Sequence, residues 1–176
     1  MPDRGPRAYR YRGPEALRRA AERQLTGTTI RSLADLHTWL EGHPEAVTEA
    51  ATFVVMIDGT LRLAARRTEH VACAQGAPVL AAGEIRFTRA ELLPQVLEIT
   101  NQSTGYCPEP ESWPAVAAAL GAIGLAAPDG YTRKFVFRRC PQCGQLNIVK
   151  DDWFYCGACD AALPSTWNID PEPQGG

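Results

Sequence analysis

The chain has 176 residues and a net charge of −2, enough for one ordinary domain and a small appendage. That charge exerts no overall pull toward nucleic acid or membrane. No apolar run reaches the roughly 18 residues of a membrane-spanning helix, and the charged N-terminus lacks the apolar segment of a secretory signal, so a cytoplasmic protein is expected. Eight Arg face five acidic residues over 1–44, whereas five Arg face ten acidic residues over 45–130. Only Lys134 and Lys150 are Lys; with so many Ala, this is the bias of a GC-rich bacterial genome.

Residues 1–13 hold Arg4, Arg7, Arg10, Tyr11 and Arg12 and read as a disordered basic arm. Basic and aromatic residues interleaved in this way suit bases and phosphates, although a solvated tail is the commoner meaning. Pro14 opens a helix through about Leu25, with Leu17, Ala20, Ala21 and Leu25 at helical spacing. Ser32, with Asp35 three residues on, caps a second helix that Gly42 stops. Its buried face is Leu33, Leu36, Trp39 and Leu40, and His37 and His43 read as surface residues.

Thr52–Ile57, Asp58-Gly59 and Thr60–Ala64 predict a hairpin with a primed two-residue turn. Val79–Thr88 predicts a strand in which Gly83 marks a bulge or a close approach. Arg89–Pro94 is a turn or a single helical turn, and Val96–Asn101 another strand. These strands predict an antiparallel meander. A third helix starts at Pro110 or Ser112, with Val116, Ala119, Leu120 and Ile123 on one face. Pro128, Asp129 and Gly130 mark the domain boundary. Tyr131–Arg138 then alternates as a strand and leads into the last module.

That module carries the strongest chemical signal. Cys140 and Cys143 form one C-x-x-C pair, Cys156 and Cys159 another, with twelve residues between them. Each tight turn swings two thiolates to one side, and two such turns supply four ligands in a tetrahedron. Zinc accepts this set because it favours sulfur and asks only for four-coordination. Gly144 and Asp160 follow the pairs at positions where left-handed backbone lets amide N–H groups point at sulfur. Leu146–Val149 reads as a strand, Lys150–Asp152 as a turn and Trp153–Tyr155 as the return strand. The module looks like a zinc ribbon with one structural Zn2+, since all four positions are Cys and none is left for substrate. A disulfide pair, idle thiols and a rubredoxin-type iron site are the competing readings, the last disfavoured by the short spacer.

Residues 101–113 concentrate Asn101, Ser103, Tyr106 and Cys107 between a strand and a helix start, where an anion is welcome. With Glu84, the first three form a candidate ligand loop. A catalytic reading makes Cys107 or Ser103 the nucleophile, His70 the base, and Glu84 or Glu109 the orienting group; a buried small side chain is the plainer account of Cys107. Ala81, Ala82 and Gly83, followed by Ser103, Tyr106 and Pro108, resemble a module of plant IQ-motif proteins and bacterial effector-like proteins. There an Ala-Ala-Gly strand precedes a Ser-Gly-His-Tyr-x-Pro loop and a helix. The resemblance spans about residues 79–125 and implies fold rather than activity. Gly105 stands where that loop has His, so any role of the imidazole is lost or moved.

The sequence therefore predicts an α+β protein: a basic arm over 1–13, an α+β domain over 14–130, a zinc ribbon over 131–167 docked on the sheet, and a disordered tail over 168–176. The leading functional expectation is a zinc-binding interaction or adaptor protein with a protein partner, presenting Trp153, Phe154 and Tyr155 and the 101–113 loop. The first alternative is a transferase or hydrolase with its pocket at that loop. The second is a nucleic-acid-binding protein using Arg4–Arg12 with Arg133, Lys134, Arg138 and Arg139, whose affinity would fall steeply with salt.

Overall fold

The computed structural model describes residues 5–89 and 93–169. Pro14 precedes α1 (Glu15–Glu22), where a locked φ and a missing N–H cost nothing. Arg18 pairs with Glu15 and Glu22 on its outer surface. A three-residue strand, β1 (Thr28–Ile30), follows. The Ser32 hydroxyl accepts from the Asp35 N–H at 3.1 Å, and the Asp35 carboxylate accepts from the Arg31 N–H at 2.8 Å, so α2 (Leu33–Gly42) starts at a reciprocal cap as expected.

β2 (Ala51–Met56) and β3 (Leu61–Ala64) pair as a hairpin. Its turn is not the primed two-residue type. Of its residues only Gly59 has positive φ, at +86°, and the Met56 N–H donates to the Thr60 carbonyl at 2.9 Å. This is a three-residue loop closed by a left-handed glycine. The Asp58 carboxylate accepts from the Thr60 N–H and hydroxyl at 3.0 and 2.7 Å, which leaves the left-handed demand to Gly59.

The sheet is antiparallel between all neighbours, in the order β1-β3-β2-β4-β5. It is not a simple meander. β3 passes through a short helix, α3 (His70–Cys73), to β4 (Val79–Phe87) on the far side of β2, and β5 (Val96–Ile99) pairs with β4. All six residues of β2 are buried, so this strand takes the position with a neighbour on each side and helices over both faces. The Thr52 hydroxyl lies within hydrogen-bond distance of the Arg66 and Thr68 carbonyls and anchors the crossover.

A 3-10 turn over Pro110–Ser112 leads into α4 (Trp113–Ala122). Val116, Ala119, Leu120 and Ile123 are buried as their spacing predicts, packed with Leu36, Trp39, Phe53, Val55 and Ile85. Alternation along β2 turns Val54 to the other face, where α3 packs on the strand and α1 packs on α3.

The N-terminal segment departs from the disordered arm expected over 1–13. Tyr9 is buried and exchanges both backbone hydrogen bonds with Val79, at 2.7 and 2.9 Å, and the Arg12 N–H donates to Gly105. β5 pairs with β4 only from Ile85 onward, so the first half of β4 has an open edge that Tyr9 fills. Residues 1–4 lie outside the described residues, as do 90–92 of the Arg89–Pro94 stretch.

The chain divides into two compact units, Met1–Lys134 and Phe135–Gly176. In the second, β6 (Val136–Arg139) pairs with β7 (Leu146–Val149) in register Phe137 to Ile148. β7 was expected to pair with a return strand over Trp153–Tyr155. That segment instead makes a single bridge, Tyr155 to Ala162. Asn168 grips the Arg139 backbone through both its amide atoms and Ile169 is buried, so order extends past the expected start of a disordered tail at 168. Residues 170–176 lie outside the described residues.

Gly83 marks a close backbone approach. A Cβ there would sit 1.8 Å from the Thr100 carbonyl oxygen, a backbone atom that cannot step aside. Gly83→Ala is expected to destabilise the protein by about 3 kcal/mol or more, read as a lowered midpoint of chemical unfolding.

Candidate functional site

The four cysteines converge. Their sulfurs all lie within 4.8 Å of one another, with Cys140 to Cys159 and Cys143 to Cys156 at 3.6 Å each. A disulfide needs about 2.05 Å, so neither pair is bonded. A tetrahedral ion with metal–sulfur bonds of about 2.3 Å requires sulfurs about 3.8 Å apart. The observed spacing fits that cage.

Two matching turns build it. Cys140 O accepts from Gly144 N–H at 2.9 Å and Cys156 O from Asp160 N–H at 3.0 Å. The Cys140 N–H donates to Gln145 and the Cys156 N–H to Ala161, both at 2.8 Å. Gly144 and Asp160 have φ of +78° and +58°, as the sequence predicts for residues that close these turns. Amide donors reach sulfur in both, Cys143 N–H to Cys140 at 3.5 Å and Ala158 N–H to Cys156 at 3.4 Å. The thiol acidities follow. The Ala158 N–H and its neighbours hold Cys156 down at about 6, and the Cys143 N–H lowers Cys140. Cys159 has a lowering donor in the Ala161 N–H, but burial and the other three sulfurs push it up to about 12. Four thiolates crowded together repel one another, and a bound cation removes that conflict.

Asn147 is a support the sequence reading missed. Its amide donates to Cys156 sulfur at 3.5 Å and to Gln145 O at 2.9 Å, while its oxygen accepts from the Gly157 N–H at 3.0 Å. It ties the two turns together and orients a ligand. An Asn within an apolar strand was the available clue. Arg138 is buried. Its guanidinium donates to the Pro164, Phe137 and Ser165 carbonyls at 3.1, 2.8 and 2.8 Å and lies over Phe154.

The 101–113 loop is organised inward. Asn101, Ser103, Tyr106 and Cys107 are all buried. Asn101 donates to Pro108 O at 2.9 Å, Ser103 Oγ accepts from the Tyr106 N–H at 3.4 Å, and Tyr106 OH donates to Ala77 O at 2.8 Å. Cys107 sits at φ +48°, and its S–H donates to Thr104 O at 3.2 Å. His70 binds the Gly83 carbonyl through Nε2 at 2.8 Å, and is hydrogen-bonded to neither Ser103 nor Cys107. Its Nε2 is thereby engaged with the β4 backbone. Glu84 lies on β4 opposite Thr52. A groove of about 860 Å³ is lined in part by this loop, through Glu109, Glu111 and Ser112, together with Arg7, Tyr9 and Leu80, and by none of Asn101, Ser103, Tyr106 and Cys107.

Burial lowers the pKa of His70 below its ordinary 6.5, against the raising effects of the Gly83 carbonyl and Glu69. The unfolded chain therefore takes up this proton first as pH falls. The stability due to neutral His70 is complete above about 6.5 and is lost as pH drops from there toward the folded-state value. His70→Gln should flatten the pH dependence of unfolding stability between about pH 7 and 5, measured by denaturant titration at each pH.

No family model, curated protein or solved structure matches this chain, and the likeness of residues 79–125 to the Ser-Gly-His-Tyr-x-Pro module finds no support there.

Proposed function

We propose that residues 135–169 form a zinc ribbon around one structural Zn2+ held by Cys140, Cys143, Cys156 and Cys159, and that the protein acts as an interaction or adaptor protein. The observation that carries this is the convergence of four sulfurs, all within 4.8 Å of one another and two pairs at 3.6 Å, close to the roughly 3.8 Å that a tetrahedral ion needs. Zinc is the ion that prefers four sulfurs without further geometric or redox demand. With every coordination position filled by cysteine, the ion's role is to hold the fold, and its binding free energy, about 10–16 kcal/mol for such sites, is folding free energy.

Two observations favour interaction over the alternatives. The polar groups of the 101–113 loop and His70 spend their hydrogen bonds inside the protein. On the nucleic-acid side, Arg138 is buried against carbonyls, which removes one cation of the expected basic surface. By contrast Trp153 and Tyr155 are 68% and 47% exposed, with ring centroids 4.7 Å apart. Large apolar surface left open in this way is typical of a contact site.

Removing the metal tests the reading. A strong chelator, or Cys143→Ser, is expected to collapse the dispersed amide resonances of residues 135–169 while those of Phe53, Val55 and Leu120 keep their positions. A metal-free protein whose 135–169 resonances stay dispersed would overturn it.

A further inference from the structure

We propose that the Asp151–Asp152 turn and the Trp153–Tyr155 aromatic pair form a docking surface for an arginine-rich protein segment. This rests on the interaction reading above and names the chemistry of the partner.

The turn is the first observation. Lys150 O accepts from the Trp153 N–H at 2.9 Å, and both central residues, Asp151 and Asp152, have positive φ, +52° and +55°. This is the primed geometry, for which Asn-Gly is the favoured pair. Two aspartates meet its backbone demand less well, and they set two like charges side by side at an exposed tip. Local strain and repulsion retained on a surface point to use rather than to stability.

The aromatic pair is the second. Trp153 and Tyr155 follow the turn directly, lie exposed, and tilt at 40° to one another. Aromatic faces attract cations, and Arg most of all, since its planar guanidinium stacks on a ring while its N–H groups engage carboxylates. The charge balance agrees. Arg138 is turned inward onto carbonyls and Arg139 donates to Gly144 O at 2.9 Å, and exposed Lys150 at the turn is outnumbered by the exposed Asp151, Asp152 and Asp160. Four thiolates around a divalent ion add two further negative charges. Nucleic acid would meet this face with like charge.

The test uses the full chain, with its metal content measured on the same sample, titrated with a hexa-arginine peptide at physiological salt. The indole N–H resonance of Trp153 is identified by its loss in Trp153→Phe, and Trp39 and Trp113 serve as internal references. The expected result is a saturable shift of the Trp153 resonance alone. Trp153→Ala and the double variant Asp151→Asn, Asp152→Asn should each weaken binding at least about fivefold. Asn tolerates the same left-handed backbone, so that pair removes charge without removing the turn. A Trp153 resonance unmoved by hexa-arginine overturns the proposal, as does a shift of equal size with hexaglutamate or oligothymidylate, or full affinity in the Asn double variant. Metal content separates these results from failure of the zinc reading: an unmoved resonance with the ion in place refutes the cationic partner alone, whereas a folded 135–169 unit without an ion refutes the zinc-ribbon reading.

Discussion

The convergence of four cysteine sulfurs is the constraint on which residues 135–169 depend. The buried residues clustered around the sulfurs are Cys140, Cys156 and Leu163, with Val149, Phe154, Cys159 and Ala161 partly buried around them, and Phe135, Phe137 and Ile169 are buried elsewhere in this stretch. That is a small core for some thirty-five residues, and small modules of this kind need a staple. The two turns place backbone N–H groups on sulfur, Asn147 bridges them, and Arg138 pins the 164–165 segment by its carbonyls. Each of these contacts serves to position a sulfur or to close the loop around one.

Residues 5–134 are built on a different principle. There a wholly buried β2 collects partners on both edges and both faces, and apolar packing supplies the stability. Polar groups inside this unit work as fasteners. His70 reaches from α3 to Gly83, Tyr106 to Ala77, and Tyr9 to Val79 and the N–H of Glu109. The buried side chains of the 101–113 loop are fasteners of the same kind: Asn101 donates to Pro108 O, Tyr106 to Ala77 O and Cys107 to Thr104 O.

Local signals in the sequence translate well into structure. Ser32 with Asp35 marks a cap, Val116 to Ile123 a buried helical face, Gly83 a close approach, and Gly144 with Asp160 two left-handed turn ends. What was not legible is non-local. The place of β2 between β3 and β4 is set by pairing between separate segments, and no single segment encodes it. β7 chose β6 over the nearer Trp153–Tyr155 segment, and the burial of Tyr9 arises from an edge that β5 leaves open. A primed turn was expected at Asp58-Gly59, where only Gly59 has positive φ, whereas Asp151 and Asp152 both have it. Among site residues, the four cysteines were legible because spacing alone dictates their convergence. Asn147 and Arg138 were not, since their partners are fixed by the fold around them.

X-ray absorption at the zinc edge, with elemental analysis, on protein purified without added metal tests the central claim most directly. One zinc per chain with four sulfurs at about 2.3 Å and no lighter ligand is the predicted result. A protein free of metal, or an ion with nitrogen or oxygen in its inner shell, would contradict it.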